Sequence, residues 1–376
     1  MAPRDRVERA EDTIDSGHAT GPAPAPFTSP LKEHLRRRAR ELGLDEIGFT
    51  TADDLPRADY VERWLAEGRA GAMSYLARGG PRHRPGLLLE GARTIVVGAA
   101  RYQRPRSEPS HVAAYAQRGD YHPGLRKALR PLAAELRAAV AGSATKICID
   151  AAPILEREAA ARAGVGWIGK NTLVVHPEHG CYTLLGLILW TGELPPDAPS
   201  VDHCGRCRRC LDACPTQALT APYQMDARLC LSYLTIEQRD AIPVEYREAL
   251  GVRAFGCDAC LAACPYGGAA LFDDAPLLPT DPALAGASLR ELLERARDRF
   301  WKSFRATPVE RARRRGFLRN LLVAAGNSRD ASLREVVLPF REDGDTLVAE
   351  HADWALRRLD EGRESAGAST STTKGM

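Results

Sequence analysis

The segment CGRCRRCLDACP places Cys204, Cys207, Cys210 and Cys214 two, two and three residues apart and closes on Pro215. One tetrahedral metal ion makes poor use of four thiolates spaced this tightly, whereas the corners of an iron–sulfur cube suit them. A second segment, GCDACLAACPYG, supplies Cys257, Cys260 and Cys264 ahead of Pro265, and Cys230 stands alone between the two. Eight cysteines therefore make two sets of four.

The spacing is that of bacterial ferredoxins, in which the cysteine before proline turns away from its own motif and ligates the neighbouring cluster. It predicts Cys204, Cys207, Cys210 and the distant Cys264 on a first [4Fe–4S] cluster, with Cys214, Cys230, Cys257 and Cys260 on a second. Paired zinc sites would share the C-x2-C spacing but have no need of two CP endings. A disulfide framework is disfavoured, because a chain of 376 residues buries a core without staples and shows no apolar leader. The two remaining cysteines, Cys148 in KICID and Cys181 in HGCYTLLG, read as small buried hydrophobes.

A pair of clusters is an electron wire, and the rest of the chain must supply its terminus. Hydrophobic residues at 44% and charged residues at 27% describe an ordinary soluble protein. No run approaches the ~18 apolar residues of a membrane helix, so we expect a cytoplasmic protein with no membrane partner. HLRRRARELGL is followed by the polar DEIGFTTADD, not by the apolar segment of a twin-arginine signal. The 52 basic residues are six lysines and 46 arginines. Arginine is the better phosphate fork, which keeps a nucleic-acid partner open.

The positioning elements follow from the apolar pattern. Ser29 and Pro30 start a helix with Leu31, Leu35, Ala39 and Leu42 on one face, ended by Gly43. ARTIVVGAA, KICID and TLLGLILW read as strands, and a helix is expected from Pro153 to Ala163, stopping at Gly164. Beyond Thr307 the pattern is helical only, in TPVERARRRGFLRNLLVAAGN, SLREVVLPFRE and TLVAEHADWALRRL, suggesting paired amphipathic helices in a small HEAT-like unit. The expected fold is α+β. An N-terminal α/β catalytic domain spans 30–198, a two-cluster ferredoxin-like domain 199–270, a connecting segment 271–306 and the helical unit 307–361. The Pro-, Ala- and Ser-rich tails, 1–29 and 362–376, are expected to be disordered. About 160 residues ahead of the clusters are more than a simple electron carrier needs, and no G-x-G-x-x-G marks a dinucleotide site.

MSYL at 73–76, GDYH at 119–122, DAAPILERE at 150–158, GVGWIGKNTL at 164–173, CLSYLTIE at 230–237 and FGCDAC at 255–260 occur in an order that resembles the epoxyqueuosine reductases. The resemblance runs from residue 31 to about 360. It implies cobalamin, two [4Fe–4S] clusters and reduction of the epoxide of epoxyqueuosine in tRNA to queuosine. The chain departs from the family at CLAACPYG, where Leu261, Tyr266 and Gly267 replace the usual residues.

The resemblance gives Asp150 the role of proton donor to the opening epoxide. The residues alone offer a second reading, Asp150 as cap of the helix at Pro153. A donor at neutral pH needs a raised pKa, which the apolar Ile147, Ile149 and Ala151 would favour. The glycines of GWIGKNT, with Lys170 and Asn171, suit contact with corrin amides, and Met73, Tyr75, Ser232 and Tyr233 are implied as further corrin neighbours. His122 beside Pro and Gly reads as a turn residue rather than a cobalt ligand. Arg239 is expected to meet tRNA phosphates, while Arg311, Arg313, Arg314, Arg315 and Arg319 read either as further phosphate contacts or as a solvated helix face. The implied partners are epoxyqueuosine-containing tRNA and an external electron donor, acting on a monomer. Two rival functions remain at this stage, a corrinoid reductive dehalogenase and a non-catalytic iron–sulfur carrier.

Overall fold

The computed structural model describes residues 29–78, 80–102, 110–268, 275 and 277–371. The expected tails at 1–28 and 372–376 lie outside the described residues. Pro30 starts α1 (Pro30–Glu41) from an extended Ser29 whose hydroxyl makes no capping bond, and Gly43 leaves the helix at φ 88°. β1 (Glu46–Thr51) follows, then α2 (Ala58–Ala66) and β2 (Thr94–Arg101). Asp120 caps α3 (Tyr121–Ala139) by accepting from the His122 amide. β3 (Thr145–Cys148), α4 (Glu156–Arg162), the two-residue strands β4 (Trp167–Ile168) and β5 (Val174–Val175), and β6 (Thr183–Trp190) complete the sheet region.

Four strands form one antiparallel sheet in the order β1-β2-β6-β3, with Thr94 opposite Trp190 and Ile147 opposite Ile188. The apolar runs of β2 and β6 lack polar alternation because both faces are covered. Val96 and Ile188 pack with Leu35, Leu125, Leu129 and Leu132 from α1 and α3. On the opposite face Ile95, Val97, Leu187 and Leu189 meet Ala159, Ala160 and Ala163 around α4. Three layers result, with the helix α3 and the strand β1 not anticipated from the sequence. Helix α4 begins at Glu156 rather than Pro153, its cap position held by Leu155.

Among the short helices of the cluster segment, α5 (Arg209–Asp212), α6 (Leu231–Ile236) and α7 (Ala259–Ala262) each begin at or carry a cluster cysteine. The segment's small core of Leu231, Tyr233, Leu234, Ile242 and Leu250 is completed by Val323 of a later helix. That helix belongs to an all-helical layer, α8 (Leu289–Phe304), α9 (Arg313–Ser328) and α10 (Thr346–Ser371). A Ser288–Glu291 capping box starts α8. Helix α9 is not amphipathic as expected. It is buried continuously from Gly316 to Gly326, so it forms the axis on which the other helices pack. SLREVVLPFRE breaks into short turns, and α10 runs on through Ser371, into the segment read as a tail. No helix among the described residues is long and apolar enough to cross a membrane.

Gly48 of β1 lies where the carbonyl of Ala163 presses on the strand, and a Cβ there would overlap that oxygen and sit 3.0 Å from the Ala163 Cβ. Gly48→Ala must push α4 off the sheet and is expected to cost about 1–3 kcal/mol, read as a lower denaturant midpoint. An unchanged midpoint would mean that α4 is not held against β1.

Candidate functional site

All ten cysteines are free thiols, and the eight of the two CP motifs and Cys230 are half-buried. Cys204, Cys207, Cys210 and Cys264 line one small cavity of about 40 Å³, open at its mouth. Cys264 is thus brought across from its own motif to the first three cysteines. The other four also converge. The thiol of Cys260 is pushed well up by burial and then by Cys257, Cys230 and Cys214. Among the described residues no three ligand side chains close on a point suited to a single metal ion. The two all-sulfur donor sets suit [4Fe–4S] clusters.

Lys170 and Asn171 are found on the wall of the Cys204 cavity. Lys170 Nζ donates to the carbonyls of Gly205 (2.5 Å) and Cys207 (3.0 Å). Asn171 is buried and donates to the sulfur of Cys181 at 3.3 Å. Cys181 is more than a filler, since its thiol contacts Cys264. Cys148 is the inert one, 1% exposed, its thiol pushed up to about 11 by burial.

Asp150 stands at a second focus, beyond the end of β3. Its backbone is left-handed at φ 50°, and its side chain is 63% exposed. Tyr121 donates its hydroxyl to Oδ2 at 2.9 Å, His122 Nε2 lies 3.6 Å from the same oxygen, and the Asp150 amide donates to Glu156 Oε1 at 2.7 Å. The expected capping role fails, because α4 starts six residues later and Asp150 makes no bond to its first turn's amides. The expected upward pKa shift fails too. Hydrogen bonding to His122 outweighs desolvation and, with Tyr121, holds the Asp150 carboxyl below the ordinary range. His122 is correspondingly raised, chiefly by Asp150 and then by Asp120, which meets its Nδ1 at 2.7 Å. Both imidazole nitrogens are therefore engaged with carboxylates.

Glu156 was missed by the sequence reading. Burial, and next the charge of Asp150, push its carboxyl up to about 8. The signal was present as an acid in the first turn after DAAPIL, though only the fold shows that it faces Asp150. Arg157 beside it donates to the Thr172 carbonyl at 2.7 Å and is lowered by desolvation against the pull of Glu156, Asp150, Cys260 and Cys181. Its charge thus lies between the Asp150 recess and the Cys260 and Cys181 sulfurs.

Tyr75 is 38% exposed, and the Asp150 and Glu237 charges reach it. Met73 packs against the small core that contains Leu231, Tyr233 and Leu234, as do Cys230 and Cys257. The Ser232 side chain and amide face the Cys230 sulfur. Tyr233 is buried, its hydroxyl accepting from the Ala72 amide (2.7 Å) and donating to Gln238 (3.1 Å). Of the arginines, Arg239 is exposed and donates to the Arg311 carbonyl at 3.0 Å. Arg311 forks onto Glu237 and lies 5.3 Å over the Tyr75 ring, while Arg314 and Arg315 pair with Asp343 and Asp345. Arg319 cannot meet a phosphate. It is 0% exposed and donates to the carbonyls of Leu234, Gln238 and Asp240.

The chain is similar to known proteins. A family model described as 4Fe-4S double cluster binding domain matches residues 203–267, and one described as Epoxyqueuosine reductase QueG, DUF1730 matches residues 82–151. The epoxyqueuosine reductase of Pseudomonas aeruginosa is 37% identical over 89% of this chain and 96% of its own, and that of Escherichia coli 33% over 89% and 91%. A solved epoxyqueuosine reductase bound to an epoxyqueuosine-modified tRNA-Tyr stem loop superposes with TM-score 0.79 at 32% identity, covering 89% of this chain and 93% of that one. A Bacillus subtilis epoxyqueuosine reductase, solved with its catalytic aspartate loop swung out of the active site, gives TM-score 0.77 at 32% identity with the same coverage.

The raised Glu156 carboxyl has a stability consequence. A group whose folded pKa of about 8 exceeds its ordinary 4.5 loses its stabilising contribution as pH rises between those values. Glu156→Gln keeps an acceptor for the Asp150 amide but cannot ionise. Its melting temperature is therefore expected to rise relative to the native protein from pH 5 to 8 and to level off above. A difference independent of pH would show that Glu156 ionises normally.

Proposed function

Because the chain belongs to the epoxyqueuosine reductase family, we propose that it reduces the epoxide of epoxyqueuosine at the tRNA wobble position to the alkene of queuosine. The observation that carries this reading is 37% identity sustained over 89% of the chain, through both foci of the site. Opening the epoxide and expelling its oxygen as water consumes two electrons and two protons. Cobalamin, when bound, supplies the low-valent metal that makes carbon–oxygen cleavage accessible.

The chain's own residues supply the rest. The eight cysteines hold the two clusters in the crossed sets, so that electrons pass singly toward the recess. Met73, Tyr75 and Ser232 would border the corrin. Tyr233, Lys170 and Asn171 fix its surroundings through the bonds described above. The proton leaves from Asp150. His122 keeps a proton 3.6 Å from Asp150 Oδ2 and reloads that carboxylate, while Tyr121 orients it from 2.9 Å. Arg239 and Arg313, both exposed, offer charge to the tRNA backbone. The helices from 307 to 361 act as a HEAT-like unit packed on the clusters, with domains at 30–198 and 199–270 before it. The protein works as a cytoplasmic monomer fed by an external electron donor.

Asp150→Asn tests the donor role. Asn tolerates the left-handed backbone at this position, so the loop should persist. Turnover on epoxyqueuosine-containing tRNA is expected to fall about two to four orders of magnitude with corrin and iron content intact. Near-native turnover would remove Asp150 from the chemistry.

The crossed ligand sets have a separate test. Cys264→Ala should abolish the cluster held by Cys204, Cys207 and Cys210, and Cys214→Ala the other, as read by iron content and the spectra of the reduced protein. Loss of the Cys257–Cys260 cluster in Cys264→Ala would refute the crossing.

A further inference from the structure

The turn GVGWIGKN contains one group that the reaction as described leaves idle. Trp167 is 2% exposed, and its indole Nε1 has no hydrogen-bond partner. Buried indole N–H groups ordinarily find an acceptor, since leaving one unpaired costs about 1–3 kcal/mol. The fold does not let this side chain escape. β4 pairs with β5, Trp167 opposite Val175, and the ribbon is so tight that a Cβ on Gly166 would lie 2.5 Å from the Val175 carbonyl oxygen. The indole is clamped edge-on by two rings, Tyr266 at 4.8 Å and His203 at 5.0 Å. Tyr266 follows the CP ending of the second cysteine motif, and His203 precedes the first cluster cysteine.

Held in this way, the indole lies against His203, the residue next to Cys204; burial raises the Cys204 thiol, and the nearby Trp167 indole draws it back. Both clamping rings line the cavity that Cys204 shares with Cys207, Cys210 and Cys264. Lys170, three residues on, fastens the same cysteine loop through the carbonyls of Gly205 and Cys207.

We propose that the Trp167 indole N–H donates a hydrogen bond to the Cys204 sulfur of the first cluster and thereby raises that cluster's reduction potential. The inference rests on the crossed ligand set proposed above. Its physical basis is general. Reduction adds negative charge that spreads onto the thiolate sulfurs, and a donor fixed against one of them stabilises the reduced state more than the oxidised one. Such a bond also satisfies the one polar atom of Trp167 that the protein leaves unpaired. Its effect is confined to the first cluster, because the two rings that hold Trp167, His203 and Tyr266, line the Cys204 cavity.

The test uses anaerobically reconstituted holoprotein, native and Trp167→Phe, titrated with reductant while the reduced clusters are followed by electron paramagnetic resonance. The signal missing from Cys264→Ala marks the first cluster. In Trp167→Phe its midpoint is expected to move to more negative potential with iron content unchanged and the second cluster unmoved. Pulsed resonance on native protein labelled with indole-15N tryptophan should show coupling of the label to the reduced first cluster, absent from the variant. Full iron loading with an unmoved midpoint would overturn the proposal. So would a native protein with no indole coupling, which decides the matter even if the variant fails to load. A wrong ligand set, by contrast, shows itself in Cys264→Ala, whatever Trp167 does.

Discussion

A buried cation holds the two halves of the site together. Arg319 reaches from the all-helical layer into α6 and is surrounded by the carbonyls of Leu234, Gln238 and Asp240 and by Asn320 Oδ1. Burial draws its guanidinium down to about 9, still charged at neutral pH. Such a group is stable only while every donor is met, so its partners cannot drift. Asn320 extends the clamp to the carbonyls of Thr235 and Ala254. The segment so fixed carries Cys230, Ser232 and Tyr233. Tyr233 in turn holds Ala72, and Gly71 has no Cβ because the Tyr233 hydroxyl fills that space. Met73 and Tyr75 thus inherit their positions from a charge they never touch.

The Asp150 recess obeys a different logic. Three acid–base groups share a small space, and their charges are arranged so that not all can be negative. His122, and then Tyr121, hold the Asp150 carboxyl below its ordinary range, while burial of Glu156, and next the charge of Asp150, push the Glu156 carboxyl up to about 8. A proton removed from His122 toward Asp150 leaves a neutral imidazole and a neutral carboxyl, so no net charge is created in the recess. That balance suits a reaction in which the departing oxygen must be protonated twice.

The cysteine pattern was legible because covalent spacing along the chain is itself the information. β2 and β6 were legible for a similar reason, since strands covered on both faces are uniformly apolar over short lengths. Helix α3 does carry a helical repeat in Leu125, Leu129, Leu132 and Leu136, but the turn-like GDYHPG at its start masks it. The sign of the Asp150 shift was misjudged for a deeper reason. Its neighbours in sequence are apolar, but the residue that decides its ionisation, His122, arrives from the start of α3. Ion-pair partners close in space and far along the chain leave no local trace. Arg319 was read as a phosphate contact or part of a solvated face because it follows Arg313, Arg314 and Arg315. The all-round apolar character of GFLRNLLVAAGN marked it as a buried helix, and an arginine there has to be internally bonded.

The loop GWIGKNT shows how one stretch can serve both foci without belonging to either. Its glycines are dictated by close approach to Val175, its Asn171 by the Cys181 sulfur, its Lys170 by the carbonyls of the first cysteine loop. One residue later Thr172, left-handed at φ 66°, turns its carbonyl to Arg157, whose neighbour Glu156 holds the Asp150 amide. A displacement of the cysteine loop would therefore be transmitted through Lys170 and Arg157 to the proton-bearing residues. Electron entry and proton delivery are separated in space, yet they rest on one rigid turn, so that neither can shift without straining the other.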